Sequence, residues 1–116
     1  YWDAQSLDAV SGLSPNIAAE VFDTEVNTGR GGEFLQRALN ILNQNGAMYP
    51  DIKVDGRVGP MTVAALREYL RNRQALGQVV MLRVLNSYQG AHYLELAERR
   101  EKDERFVFGW FSHRVV

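Results

Sequence analysis

The chain has 116 residues, 46% hydrophobic and 23% charged, with no cysteine. That length supports one hydrophobic core without disulfide or metal staples, and the absence of thiols excludes disulfide and thiolate chemistry. Thirteen Lys and Arg against fourteen Asp and Glu give a formal charge of −1, without the basic excess of a nucleic-acid binder, and no apolar run approaches the roughly 20 residues that cross a bilayer.

The first residues, Tyr1-Trp2-Asp3, put aromatics where a frayed terminus is ordinarily polar. With no initiator methionine and no signal peptide in view, the chain reads as a piece of a longer protein. The first helix signal is LSPNIAAEVFDTEVNTG. Ser14 suits the N-cap, Pro15 the first helical position and Gly29 the C-terminal cap. Ile17, Ala18, Val21, Phe22 and Val26 form the expected buried face, with Glu20, Asp23, Thr24 and Asn27 opposite. Gly29-Arg30-Gly31-Gly32 breaks this helix. A second begins near Glu33, with Phe34, Leu35, Ala38, Leu39, Ile41 and Leu42 as its stripe, and ends at Asn45-Gly46.

A loop, AMYPDIKVDGRVG, leads to a third helix opened by Pro60, with Val63, Leu66, Tyr69 and Leu70 buried. After Gly77 a fourth helical stretch is expected, interrupted at Gly90. The mixed charges of Glu95 to Arg105 read as a solvated helix face or end. ERFVFGWFSHRVV reads as a last helix with Phe106, Trp110 and His113 on one side, although Phe-Val-Phe also suits a strand. The expected class is all-α, with about five helices and short connections.

The segment DGRVGPMT, residues 55–62, tests several chemistries. A phosphate loop needs Lys-Ser/Thr after its second glycine, and Pro60 removes a backbone N–H where donors are wanted. Asp51 and Asp55 lack the alternating ligands and closing Glu of a calcium loop. Turn chemistry fits better: Asp55-Gly56 makes a tight turn, Gly59 supplies an unusual backbone angle, Pro60 starts the helix, and Thr62 bonds back into the loop. His92 and His113, the only histidines, have no carboxylate pattern around them, so neither a metal nor a cofactor is expected. No Gly-x-Ser-x-Gly elbow surrounds Ser6, Ser11, Ser14, Ser87 or Ser112.

Three carboxylate or amide positions remain open. Asp23 and Asn27, four apart on one helix face, either touch a substrate or tie down the glycine-rich turn. Glu25 falls among apolar positions near Val21 and Phe22, where burial raises a carboxyl pKa and suits a general acid. The simpler expectation is that the buried arc is narrower and Glu25 sits at its edge.

Four segments in order, VFDTEVNTG, LQRALNIL, VDGRVGPMTVAAL and FGWFSHRV, resemble the back half of glycoside hydrolase family 108. That family comprises phage and prophage N-acetylmuramidases and relatives described as secretion activators. Phe22, Asp23, Val26, Asn27 and Gly29 match its Phe-Asp-x-x-Val-Asn-x-Gly segment. Leu35, Gln36, Asp55, Gly56, Gly59, Pro60 and Thr62 match its predicted peptidoglycan-binding module, and Gly109, Trp110, Arg114 and Val115 match its ending. Tyr1-Trp2-Asp3 is similar to the close of the family's catalytic helices. The family's Glu-Gly-Gly segment, with its catalytic glutamate, does not occur here. Gly31-Gly32-Glu33 reverses that order and lies beyond the Asn27 turn, so the role is not transferred to Glu33.

The resemblance implies a lysozyme-like muramidase remnant in residues 1–30 and a small helical peptidoglycan-binding module in 31–116. The intact protein would be a glycoside hydrolase of periplasm or cell wall, or a phage product held in the cytoplasm before release. This chain alone would be inactive: it holds no catalytic residue, only Asp23 and Asn27 on a cleft wall. Peptidoglycan glycan strands would be the partner, met by Gln36, Asp55, Gly56, Gly59 and Thr62 unless those residues simply build the loop. Two other readings stand beside this one. One is a non-enzymatic peptidoglycan-binding module, with Tyr49, Tyr69 or Tyr88 stacking on sugars. The other is an interaction domain whose FVFGWF segment docks on a missing amino-terminal half or on a second copy.

Overall fold

The computed structural model describes residues 4–101 and 104–113, and within them five α-helices and no strand occur: α1 (Ala4–Leu13), α2 (Pro15–Thr28), α3 (Gly31–Ile41), α4 (Pro60–Arg99) and α5 (Glu104–His113). Tyr1-Trp2-Asp3, Arg114 and Val115 lie outside the described residues. Contacts divide the chain into two compact units, the break falling between Leu85 and Asn86.

In the first unit α1 packs on α2 and α2 on α3. Helix α1 is an addition to the sequence reading: its segment AQSLDAVSGL has no acidic first turn and buries only Ser6 and Val10, so neither capping nor periodicity marks it. Helix α2 follows its caps closely. The Ser14 Oγ accepts from the Ile17 N–H at 3.2 Å and donates to the Gln78 side-chain carbonyl of α4. Gly29 adopts φ 74°, and its N–H closes on the Glu25 carbonyl at 2.8 Å.

The buried stripe of α2 is rotated from the expected one. Ile17, Val21 and Thr24 are buried, while Phe22 and Val26 are 58% and 67% exposed. The cause is the close approach of α3. A Cβ on Gly31 would stand 2.2 Å from the Val21 carbonyl oxygen and 2.8 Å from the Glu25 nitrogen. Backbone therefore meets backbone at Val21–Glu25, and that edge of α2 becomes the inner one. Thr28 completes the corner, donating to the Thr24 carbonyl at 2.7 Å and accepting from the Arg30 N–H at 3.0 Å.

Helix α3 buries Phe34, Leu35, Ala38 and Leu39, and each of the large side chains Phe34, Leu35 and Leu39 contributes about 1.5–3 kcal/mol. It stops at Ile41, which is exposed, rather than at Asn45-Gly46. A second face of α3 carries Gln36 and Asn40, and Asn43, two residues past the helix end, continues the same spacing. Asn40 exchanges two hydrogen bonds of 2.8 Å with the backbone of Ile52. Asn43 donates to the Tyr49 carbonyl at 3.0 Å and to Asp51 Oδ1 at 2.7 Å, and accepts from the Gly46 N–H at 3.0 Å. These amides replace the ladder that the loop 43–59 lacks.

Helix α4 starts at Pro60, and Gly59 is its N-cap through a Val63 N–H to Gly59 carbonyl bond of 3.0 Å. Gly59 does not take a left-handed angle; Gly56, at φ 79°, supplies it instead. The third and fourth helices of the sequence reading lie end to end within the span of α4, parted by the non-helical backbone of Gln74 (φ 54°, ψ −138°) rather than at Gly77. Gly77 lies inside that span, its carbonyl accepting from the Tyr69 hydroxyl at 2.7 Å.

In the second unit Gly90 does not interrupt the helix. A Cβ there would meet the Phe111 and Trp110 rings at 3.2 and 3.3 Å, so the glycine makes room for rings. Tyr93 is buried, with Phe106 and Trp110 ring centroids at 4.9 and 5.1 Å. Gln89, also buried, donates to the Tyr93 hydroxyl at 3.3 Å. The Phe-Val-Phe segment is helical, and α5 buries none of its own residues; Phe108 is 79% exposed.

Candidate functional site

The motif residues of the sequence converge on one side chain. Gln36 is 1% exposed, and every polar atom of its amide is used. Its Nε2 donates to Asp55 Oδ1 at 3.0 Å, to the Arg57 carbonyl at 2.9 Å and to Thr62 Oγ1 at 3.1 Å. Its Oε1 accepts from the Asp55 and Gly56 N–H groups at 3.0 and 2.8 Å. Asp55 Oδ1 also accepts from the Arg57 N–H at 2.9 Å, closing the tight turn expected from Asp55-Gly56. The Arg57 N–H, with the Gln36 amide second, holds the fully exposed Asp55 carboxyl below the usual carboxylate range. Thr62 is buried and bonds back to the loop, while Asp55 stays exposed. Gln36, Asp55, Gly56 and Thr62 thus meet in space, whereas the bond from Gly59 runs to Val63 in the first turn of α4.

Beside this turn lies a groove of about 400 Å³, lined by Gly29, Glu33, Val54, Asp55, Gly56 and Arg57. One wall is the α2–α3 corner and the other is the pinned loop. Glu33 pairs with Arg30 at 2.5 Å and with Arg37 at 3.4 Å, and the Arg30 bond keeps its carboxyl below the usual range. Both guanidiniums also lie over the Phe34 ring, at 5.0 and 5.9 Å. Glu33 is therefore an ionised acceptor, unsuited to proton donation at neutral pH.

Glu25 is half-buried at the edge of the arc, as the simpler expectation had it. Its Oε1 accepts from the Gly32 N–H at 3.3 Å, capping α3, whose own N-cap Arg30 makes no side-chain cap. Asp23 and Asn27 are exposed on α2, and neither lines the groove. Tyr49 and Tyr69 are core residues, their hydroxyls donating to the Leu39 and Gly77 carbonyls at 2.7 Å, which removes them as sugar platforms. Among the described residues no cluster of His, Asp and Glu could hold a metal, and no helix is long and apolar enough to cross a membrane.

Sequence reading did not single out Val54, Arg57, Asn40 or Asn43. The amide spacing Gln36-Asn40-Asn43 was the available signal for the last two. Arg57 occupies an unspecified position between the motif glycines, where a pattern gives no cue.

Comparison with known families fits this geometry. A family described as a predicted peptidoglycan domain matches residues 30–115, most of the chain, and the chain belongs to that family. No curated protein matches it.

Proposed function

We propose that this member of the predicted peptidoglycan domain family is the wall-binding module of a muramidase-like protein, attaching to peptidoglycan through the groove and the 55–62 turn. The observation that carries the reading is the Gln36 network. It joins the Leu-Gln and Asp-Gly-x-x-Gly-Pro-x-Thr segments through a buried amide that fixes the exposed Asp55 turn above it, within the span that the family covers. In the intact protein an upstream glutamate would protonate the leaving oxygen of the MurNAc–GlcNAc bond, and the exposed Asp23 and Asn27 face would form one cleft wall. On this reading the remnant would end and the module begin near residue 30, and a family match that starts at that residue supports it. The setting is the cell wall.

A binding-only role is favoured for this chain by itself. Glu33 is held ionised by Arg30 and so is not poised to protonate a glycosidic oxygen, and Glu25 is engaged by the Gly32 amide as the cap of α3. A pull-down with purified sacculi tests both parts. The chain is expected to sediment with sacculi without releasing reducing ends. Absence of binding at low salt sinks the module reading, and reducing ends released by this chain alone sink the binding-only one.

A further inference from the structure

We propose that the groove recognises a free carboxylate on the peptide stem of peptidoglycan, and that Arg57 is the group that holds it. The inference rests on the peptidoglycan-binding reading and names the part of the polymer that is recognised.

Most of the charge around the groove is already engaged. Glu33 is shared between Arg30 and Arg37, and those two guanidiniums are spent on it and on the Phe34 face. Asp55 Oδ1 is spent on Gln36 and the Arg57 N–H. Arg57 differs. Its N–H is held by Asp55 at 2.9 Å and its carbonyl by Gln36 at 2.9 Å, so its backbone is clamped on both sides. Among the described residues its exposed side chain has no ion-pair partner. The fixed backbone anchors the stem of the side chain at the groove, and the planar fork of its guanidinium matches the bidentate geometry of a carboxylate.

The surroundings suit a peptide better than a sugar. Gly29 and Gly56 are both in the left-handed region, and no atom stands within 4 Å of where a Cβ would be built on either, so the floor is open. Val54, 43% exposed, supplies one apolar wall, of a size to meet an alanine methyl. None of the six lining residues is aromatic, so no ring face is offered to a pyranose. The polymer's own chemistry completes the choice. Its N-acetylglucosamine units are uncharged, and the lactyl carboxyl of a substituted muramic acid is consumed as an amide. Free carboxylates therefore sit on the stems.

The test titrates soluble probes into the full chain, followed by amide NMR: a disaccharide–tetrapeptide, the same compound with its stem carboxylates amidated, and the disaccharide without its stem. The tetrapeptide is expected to shift the Gly29, Val54, Gly56 and Arg57 amides, and amidation to weaken binding about tenfold. Arg57→Gln should weaken it by the same factor and Arg57→Lys by less, both with an unchanged thermal midpoint and with less salt dependence for Arg57→Gln. Equal binding of the amidated stem, or wild-type affinity in Arg57→Gln, overturns the proposal. Equally tight binding of the stem-free disaccharide, whose lactyl carboxylate is exposed, moves the site to the sugar and overturns it too. A chain that binds sacculi but ignores every soluble stem defeats this inference alone, whereas a chain that fails to bind sacculi defeats the module reading with it.

Discussion

The first unit and the second are built by different means. In the first, two amides on α3, a third just past its end and a glycine at a backbone contact fix positions through directional bonds and hard atoms. In the second, rings at 4.8–5.1 Å surround Tyr93 and Gly90, and α5 buries nothing of its own. Ring pairs accept a range of offset and tilted arrangements, whereas an amide with five partners has one good position. The recognition surface proposed above would need the second property, and the groove is found in the unit that has it.

Two helical glycines test the contrast most directly. Gly31→Ala is expected to cost about 3 kcal/mol or to prevent folding, because the added methyl meets the Val21 carbonyl and the Glu25 nitrogen, neither of which can move alone. Urea unfolding measures it, and a loss under about 1 kcal/mol would mean that α3 shifts freely on α2. Gln36→Leu comes next, at about 2 kcal/mol, since it leaves the Asp55 and Gly56 N–H groups and the Arg57 carbonyl without their protein partner. It should also reduce sacculus binding; a stable variant with intact binding would break the link between the pinned loop and recognition.

A third change sharpens the comparison from within the first unit. Gln74 adopts a backbone region that only glycine enters without strain, and its side chain is exposed. Gln74→Gly is expected to stabilise by about 1 kcal/mol, read as a raised denaturation midpoint; destabilisation would show that the side chain holds the kink. The smallest effect is expected for Gly90→Ala. The neighbours at 3.2 and 3.3 Å are ring tips on α5, so the helix-propensity gain and the ring displacement nearly cancel, leaving a change within about 0.5 kcal/mol. A loss like that of Gly31→Ala would make the two units equally rigid.

Much of this was legible in the residues. Ser14, Pro15 and Gly29 announced α2 to its ends because caps act locally, and Pro60 announced the start of α4. Gln36 and the Asp55–Thr62 turn were readable as a unit from the family resemblance, though which side chains face outward was not. What escaped depends on tertiary contact. Helix α1 lacks caps and a clear stripe. The break at Gln74 sits three residues before Gly77, the obvious breaker, because Gly77 is needed where Tyr69 packs. Phe22 and Val26 look like core on a helical wheel, but the inner edge of α2 was chosen by the glycine on its neighbour. Arg57 escaped for the opposite reason: an exposed side chain with no ion-pair partner among the described residues leaves no mark of structural necessity.

The two walls of the groove also differ in when they can form. The bonds of the α2–α3 corner join residues two to seven apart, as in Thr28 to Arg30 and Glu25 to Gly32. Those of Gln36 reach 19 to 26 residues ahead, to Asp55 and Thr62. Closing the longer loop costs more chain entropy, so the corner precedes it in refolding. During synthesis the order is enforced: at roughly 5–20 residues per second, the Gln36 amide waits about one to five seconds for Thr62 to be made. Until then the groove has one wall, and α3 presents its amide row to water.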